Sequence, residues 1–245
     1  MPRTGITSAR HREHDGQGPY RPATSVEPRD GPGDHVDVPR QGQPGATTGR
    51  RLRFREALPG MVRAFMDDPL YRWLLPDRGQ RREALAAIFV LTLERAAQVG
   101  QVDLDPSGRA VAAWTAPDRQ LLDDPAPFVA ILDRWAPDNR DAALAGSAAT
   151  DAATPPGART LHLLAVDPDV QGRGIGSDLL AARLAAATEA GEQVALSTSN
   201  PDNLDFYRRF GFERVARVPV AQDGPTMYVL TRPTSGCPRV NAAPC

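Results

Sequence analysis

The chain has 245 residues, a formal net charge of -1 and 41% hydrophobic residues. This near-neutral balance lacks the basic excess that nucleic-acid binding requires, because the arginines are interspersed with acidic residues. No apolar run resembles a membrane span or a signal peptide, so the sequence predicts a cytoplasmic protein that does not bind membranes.

The two ends of the chain differ in composition from its middle. Residues 1–50 hold seven prolines and eight glycines with almost no bulky apolar residue, which is too little apolar surface to offset chain entropy. We therefore expect a disordered arm over 1–50, one domain over 51–233 and a flexible tail over 234–245. The Pro-rich tail contains Cys237 and Cys245, which we expect to be free thiols rather than a disulfide or metal ligands.

The first part of the domain alternates helical and strand patterns. Two short strand patterns flank a turn at 105–108, which predicts a hairpin. Residues 118–150 have a helical pattern interrupted by prolines, and 150–157 is predicted to be a loop. The other predicted elements are a strand starting at 52–54, helices over 58–66, 70–75 and 81–97, and hairpin strands over 101–104 and 109–115.

A strand, a glycine-rich turn and an amphipathic helix follow one another over residues 161–180. Apolar residues up to Val166 predict a buried strand, and Asp167 and Pro168 end it. Glycines in the turn leave the backbone open at the positive N-terminal end of the next helix. This arrangement suits a phosphate group.

Two common phosphate-binding loops fit this turn poorly. A P-loop needs Gly-Lys-Ser/Thr, and the chain contains no lysine. A dinucleotide fingerprint needs G-x-G-x-x-G, whereas Gly172, Gly174 and Gly176 follow G-x-G-x-G. A turn without any ligand stays an alternative, although three glycines in five residues destabilise a structure unless something approaches the backbone closely.

A second strand and helix pattern follows. Residues 194–198 predict a buried strand, 199–202 a turn, and 203–212 a short helix closed by Gly211. Antiparallel strands come first in the domain, and a strand–helix–strand unit comes later. This order predicts a mixed sheet with helices packed on it.

Several segments resemble the GNAT superfamily of N-acetyltransferases. The run Gln171-Gly172-Arg173-Gly174-Ile175-Gly176 resembles its acyl-CoA loop, Q/R-x-x-G-x-G/A, and residues 203–212 resemble its N-x-x-x-Y-x-x-x-G-F pattern. With AVAAWTAP and DGPTMYVLTRP, the resemblance extends over Arg51–Pro233 to puromycin-type antibiotic N-acetyltransferases. It implies an α/β (α+β) fold with a mixed, mostly antiparallel central sheet, flanking helices and a parallel strand pair at the acyl-CoA site.

The same resemblance implies acetyl-CoA as the acyl donor and no metal. The residues that it assigns to acetyl-CoA binding are Leu164, Ala165, Val166, Gln171, Gly172, Arg173, Gly174, Ile175, Gly176, Ser177, Asn203 and Tyr207.

Two residues are predicted to be catalytic. The resemblance puts the Tyr207 hydroxyl near the thioester sulfur, where a phenol with a pKa of about 10 can donate a proton to the leaving thiolate. His162 is the only histidine in the predicted domain, and strand alternation would place it on one face with Leu164 and Val166. An imidazole with a pKa of about 6.5 could take a proton from the amine. The alternatives are a core tyrosine beside Phe206 and a histidine packed inside the sheet.

The acceptor side is less defined. Residues 66–77 resemble the region that overlies the acceptor cleft in the family, where acidic residues could hold an ammonium group and aromatics could stack on it. Tyr71 and Trp73 are thus predicted, together with Ser197, to contact the acceptor, and a packed helix–turn–helix is the alternative for 66–77. Ser197 stands where puromycin-type relatives often have glutamate, and serine alone cannot act as a comparable acid or base.

These observations predict an acetyl-CoA-dependent N-acetyltransferase. Its acceptor would be the primary amine of a small molecule, an amino-containing antibiotic such as puromycin being one example. A protein N-terminal or lysine acetyltransferase and a catalytically weak acyl-CoA-binding sensor stay as alternatives. The sequence does not distinguish a monomer from a homodimer.

Overall fold

The computed structural model describes residues 56–234. The predicted arm over 1–50, the strand predicted to start at 52–54 and the two cysteines lie outside the described residues.

The described chain contains seven α-helices and six strands. The helices are α1 (56–65), α2 (Pro69–Leu74), α3 (Arg78–Val99), α4 (Ala126–Trp135), α5 (Arg140–Ala153), α6 (Ile175–Glu189) and α7 (Asn203–Arg208). The strands are β1 (Gly100–Leu104), β2 (Ala110–Thr115), β3 (Arg159–Val166), β4 (Val194–Thr198), β5 (Glu213–Pro219) and β6 (Thr226–Arg232).

The strands form one mixed sheet in the order β1-β2-β3-β4-β6-β5. β3 and β4, which precede and follow α6 in the sequence, pair in parallel. The other neighbouring strands of the described chain are antiparallel. This topology confirms the predicted fold class. The parallel pairing ends at Leu161 and Leu196, although β3 continues to Val166 and β4 to Thr198. The two strands therefore separate beyond Leu161.

A β-bulge lies where the two parallel strands begin to separate. On β2, Ala113 pairs with Leu163 and Trp114 with Leu161, so His162 is the extra residue. Leu161 packs in the core cluster that contains Trp114, and Leu163 packs in the cluster that contains Ala113. The bulge thus reverses the alternation of side chains along β3.

Helices cover both faces of the sheet. One core lies between the sheet and the helices α1 to α4, where Leu85 and Phe89 are fully buried. The second lies beneath α6 and α7, where Trp114 and Leu180 are fully buried. Its burial makes Trp114 a packing residue, and the apolar spacing of α3 and α6 accounts for both layers.

Helices α4 and α5 form a layer, residues 126–153, that we call the cover. As predicted, prolines interrupt this region, since α4 ends at Trp135 before Pro137. The predicted loop over 150–157 begins later than expected. The Thr150 and Thr154 hydroxyls donate to the carbonyls of Gly146 at 2.8 Å and Thr150 at 2.9 Å, which accompanies the extension of α5 to Ala153.

The cover is attached to two other parts of the domain. Asn139 Nδ2 donates to the Trp73 carbonyl at 3.0 Å, at the end of α2. Gly146 lies against the turn between β5 and β6, since a Cβ there would lie 2.8 Å from Val220 Cγ1. The same turn touches α2, because a Cβ on Gly224 would lie 3.3 Å from Trp73 Cε2. The cover, α2 and the turn therefore all contact one another.

Candidate functional site

Three cavities border strand β3. The loop cavity, about 730 Å³, follows the glycine-rich turn at 171–177 to Tyr207. The junction cavity, about 200 Å³, is bordered by 161–164 and 196–199. The outer cavity, about 380 Å³, is bordered by 118–122 and α5.

The glycine-rich turn has the backbone geometry of an anion site. Gly172 and Gly174 have φ values of 73° and 84°, a conformation that other residues adopt at a cost. A Cβ on either would meet nothing within 4 Å, so space beside the backbone is open. Gly174 caps α6 with no side-chain hydrogen bond. The N–H groups of the first turn of α6 are therefore available to a ligand.

Gly176 has a different role from the one predicted. A Cβ there would lie 2.9 Å from Val166 Cγ2. Gly176 is thus needed for close packing between α6 and β3 as well as lying along the cavity.

Most of the residues predicted to bind acetyl-CoA do border the loop cavity. These are Leu164, Val166, Gln171, Gly172, Gly174, Ile175, Gly176, Ser177, Asn203 and Tyr207. Two others do not border it. The Ala165 side chain is buried in the core on the opposite face, because it follows Leu164 on the strand. Arg173 is exposed and donates to the Asp169 carbonyl at 3.4 Å.

Tyr207 and Asn203 border both the loop cavity and the junction cavity. The Tyr207 side chain is 8% exposed and its ring packs edge-on against Phe206 and Phe212. Burial raises the pKa of the Tyr207 phenol above its ordinary value. Tyr207 therefore keeps its proton at neutral pH.

His162 borders the junction cavity and the outer cavity. Its Nε2 lies 3.2 Å from Thr115 Oγ1, and Thr115 follows Trp114, which packs beneath α6. The ring is thus directed away from that face, and the predicted sharing of one face with Leu164 and Val166 is wrong because the bulge interrupts the alternation.

The environment of His162 also differs from the prediction. Although the side chain is open to the cavities, the protein around it removes much of its hydration and lowers the pKa of His162 to about 4. The imidazole is therefore neutral at physiological pH. It does not titrate near 6.5, as an ordinary histidine would.

Two of the three residues predicted to contact the acceptor border the junction cavity, namely Tyr71 and Ser197. The Tyr71 ring packs edge-on against Phe65 and Phe89, with ring centres 5.8 Å apart in each pair. Trp73 borders none of the three cavities. It packs against the core and the β5–β6 turn instead, which fits the helix–turn–helix alternative for this residue.

Asp68 is one of the acidic residues in 66–77, the segment that the resemblance places over the acceptor cleft. It borders both the loop cavity and the junction cavity. Its Oδ1 accepts hydrogen bonds from Leu70 N and Ser199 Oγ, both at 2.9 Å. Burial raises the pKa of Asp68, and these hydrogen bonds only partly oppose the effect. The signal in the sequence was the Asp-Pro pair that begins α2, a common helix start.

The edges of β3 and β4 are not paired with each other beyond Leu161 and Leu196. Backbone N–H and C=O groups of 162–166 therefore face the gap between the strands. An extended ligand that contains amide groups could pair with such an edge as an added strand. The edge leads from the glycine-rich turn to the junction cavity.

Two kinds of feature are absent from residues 56–234. No cluster of three or more potential metal ligands is found there. No helix of the described chain is long and apolar enough to cross a membrane.

Known proteins resemble parts of this chain. Residues 128–214 match the family model described as Acetyltransferase (GNAT) domain. The N-alpha-acetyltransferase RimI of Mycobacterium tuberculosis is 42% identical over 62 residues, covering 25% of this chain and 39% of that protein. An uncharacterised protein of Mycobacterium leprae is 35% identical over 81 residues, covering 32% of this chain and 23% of that protein. The matches thus span well under two thirds of these relatives.

A solved structure resembles most of the described domain. It is described as histone acetyltransferase HPA2 and related acetyltransferase from Corynebacterium glutamicum, and it aligns with a TM-score of 0.56 and 26% identity. The alignment covers 77% of this chain and 94% of that one. Residues 128–214 therefore match the GNAT acetyltransferase model, and the described domain has a GNAT-like fold, with a mixed sheet that separates beside a glycine-rich turn.

Proposed function

We propose that the protein is an acetyl-CoA-dependent N-acetyltransferase that acts on the primary amine of a small molecule. The donor would lie in the loop cavity, with its phosphates at the first turn of α6 and its acetyl end at the junction cavity. The uncapped N-terminus of α6 supports the phosphate position. The unpaired edge of β3 supports an extended amide-containing arm.

The size of the outer cavity carries the preference for a small acceptor. The cover, α2 and the β5–β6 turn meet at Trp73. The Trp73 backbone carbonyl accepts a hydrogen bond from Asn139, and the Trp73 ring lies beside Gly224. A peptide chain would need an open groove between these elements. The outer cavity, about 380 Å³, instead suits a compact molecule.

The residues at the junction provide the chemistry that the reaction needs. The acceptor reacts as the neutral amine, after its ammonium form has lost one proton to water; the nitrogen then forms a bond to the acetyl carbonyl carbon while the carbon–sulfur bond breaks. Tyr207 donates its phenolic proton to the departing sulfur, and a proton released from the acetylated nitrogen restores the phenol. His162 is neutral and borders the acceptor path, so it can hold the amine or a water molecule by a hydrogen bond.

Thiol release from acetyl-CoA tests the proposal. Puromycin and 2-phenylethylamine would be compared with an N-terminal peptide and a lysine-containing peptide at equal concentrations. We expect higher kcat/KM for the small amines. Asn139→Ala removes the hydrogen bond between the cover and α2. In this variant we expect kcat/KM for the peptides to rise relative to kcat/KM for the small amines.

Two other outcomes would reject the proposal. Higher kcat/KM on peptides in the wild-type protein would favour a protein N-terminal or lysine acetyltransferase, which the similarity to RimI also supports. Tight acetyl-CoA binding with no turnover of any amine would favour an acyl-CoA sensor.

A further inference from the structure

We propose that Asp68 is the anion that binds the ammonium group of the acceptor at the junction cavity, so that the enzyme selects primary alkylammonium compounds. This inference rests on the proposed function and identifies the substrate class within it. The placement of Asp68 carries the proposal. Asp68 and Tyr207 border the same two cavities, the loop cavity and the junction cavity. The donor and the acceptor would meet where these two cavities adjoin.

The carboxylate of Asp68 has no cationic partner among the described residues. The arginines in ion pairs within residues 56–234 contact other acidic residues. Its hydrogen-bond donors are neutral groups, the Leu70 amide and the Ser199 hydroxyl. A partly buried charge without a counter-ion is costly. An ammonium group in the cavity would supply the missing counter-ion.

The hydrogen bonds to Asp68 also fix its position. Leu70 N, in α2, and Ser199 Oγ, just after β4, both donate hydrogen bonds to the Asp68 carboxylate. The carboxylate is therefore anchored to both sides of the junction cavity before any ligand arrives. A pre-positioned anion binds a cation with little loss of side-chain entropy.

The other walls of the junction cavity define the rest of the ligand. Apolar side chains lie on one part of the wall, namely Phe65, Leu70, Leu164, Leu196 and Met227, and neutral polar side chains such as Ser197, Thr198 and Asn203 lie on the rest, around the single carboxylate. The neutral His162 stands at the boundary with the outer cavity. This pattern fits an ammonium group on a short apolar arm, with the larger part of the molecule in the outer cavity.

Asp68 also begins α2, so the test must separate charge from helix capping. An asparagine side chain at this position would still cap the helix and accept hydrogen bonds, because asparagine is as good a cap as aspartate. Asp68→Asn therefore removes the charge alone. Asp77→Asn is the matched control, since Asp77 caps α3 in the same way, accepting from Gly79 N at 2.7 Å, and borders none of the three cavities.

The measurement is calorimetric binding to the full chain saturated with CoA, which needs no turnover. The probes are 2-phenylethylamine and its uncharged analogue 2-phenylethanol. We expect Asp68→Asn to weaken binding of the amine by about tenfold or more, with unchanged affinity for the alcohol and for CoA and an unchanged melting temperature. Asp77→Asn should bind both probes as the wild type does.

Equal amine affinity in the wild type and Asp68→Asn would overturn the proposal, as would equal losses for the amine and the alcohol. Absence of amine binding to the wild type would also overturn it. Because binding is read without chemistry, normal binding with no acetyl transfer would reject the proposed function and leave the role of Asp68 standing.

Discussion

Ser199 donates a hydrogen bond to Asp68 Oδ1 at 2.9 Å, across 131 residues of the chain. The bond joins the end of β4 to the start of α2, on opposite sides of the junction cavity. The position of α2 is thus coupled to the separation of the two parallel strands. Ser199 is buried, so water does not compete readily for the hydroxyl.

Gly174→Ala should weaken acetyl-CoA binding by at least about tenfold, because its Cβ would occupy the open space beside the backbone through which a phosphate would approach. Isothermal calorimetry measures the affinity. Gly191→Ala is the control, since Gly191 has φ 68° with open space around it and does not border the loop cavity. Both variants should lose similar stability, and equal acetyl-CoA affinity in the two would contradict the anion-site assignment.

Gly176→Val should lower the melting temperature of the protein more than Gly174→Ala does. A side chain at 176 collides with Val166, since even its Cβ would lie 2.9 Å from Val166 Cγ2, and overpacking typically costs about 1–3 kcal/mol. Thermal unfolding followed by circular dichroism measures the difference. A Gly176→Val protein as stable as the wild type would show that α6 can shift away from β3.

Tyr207→Phe should lower kcat by about 100-fold with little change in acetyl-CoA affinity, because it removes a proton donor and keeps the ring. Tyr228→Phe is the control, since Tyr228 lies on β6 and borders none of the three cavities. Turnover is followed by thiol release. Full activity of Tyr207→Phe would leave Tyr207 as a packing residue.

The pH profile of kcat/KM should show no limb near pH 6.5 that belongs to His162, because the pKa of His162 lies at about 4. The unfolded chain binds a proton near pH 6.5, whereas the folded chain does not. Stability is therefore lost as pH falls from about 6.5 towards 4. His162→Gln should lose less stability over this range in urea titrations, and an equal loss would place the pKa of His162 near its ordinary value.

Asp167→Ala should lower the free energy of unfolding by about 2 kcal/mol, because Arg63 and Arg109 both pair with this buried carboxylate. Although burial opposes ionisation, the hydrogen bonds from the two arginines lower the pKa of Asp167. The stabilisation is therefore present at neutral pH and is lost in acid. Asp141→Ala, in an exposed pair with Arg140, should change stability little in the same urea titration.

Much of the fold is predictable from local patterns. Strands at 161–166 and 194–198, with α6 between them, follow from apolar runs and glycine placement. β5 was not predicted, because Glu213–Pro219 is mostly exposed at the sheet edge and has no apolar run. Its pairing with β6 depends on a partner strand, which no local pattern reveals.

The site was predictable where a motif fixed the backbone. The turn at 171–177 and the pair Asn203 and Tyr207 lie together along the loop cavity. The orientation of His162 was not predictable, because a bulge depends on pairing with β2. The resemblance included Asp68 in the segment over the acceptor cleft, but its hydrogen bond to Ser199 was not predictable, since the two residues are distant in sequence.

The cover is fixed by Asn139 at α2 and by the contact of Gly146 with Val220. A small amine that fits the outer cavity does not require these contacts to break, so its turnover should depend on its own nucleophilicity. A bulky amine must wait for these contacts to break, and the frequency of opening then sets the rate. Bulky acceptors of different basicity should therefore converge on one kcat, whereas small acceptors should not.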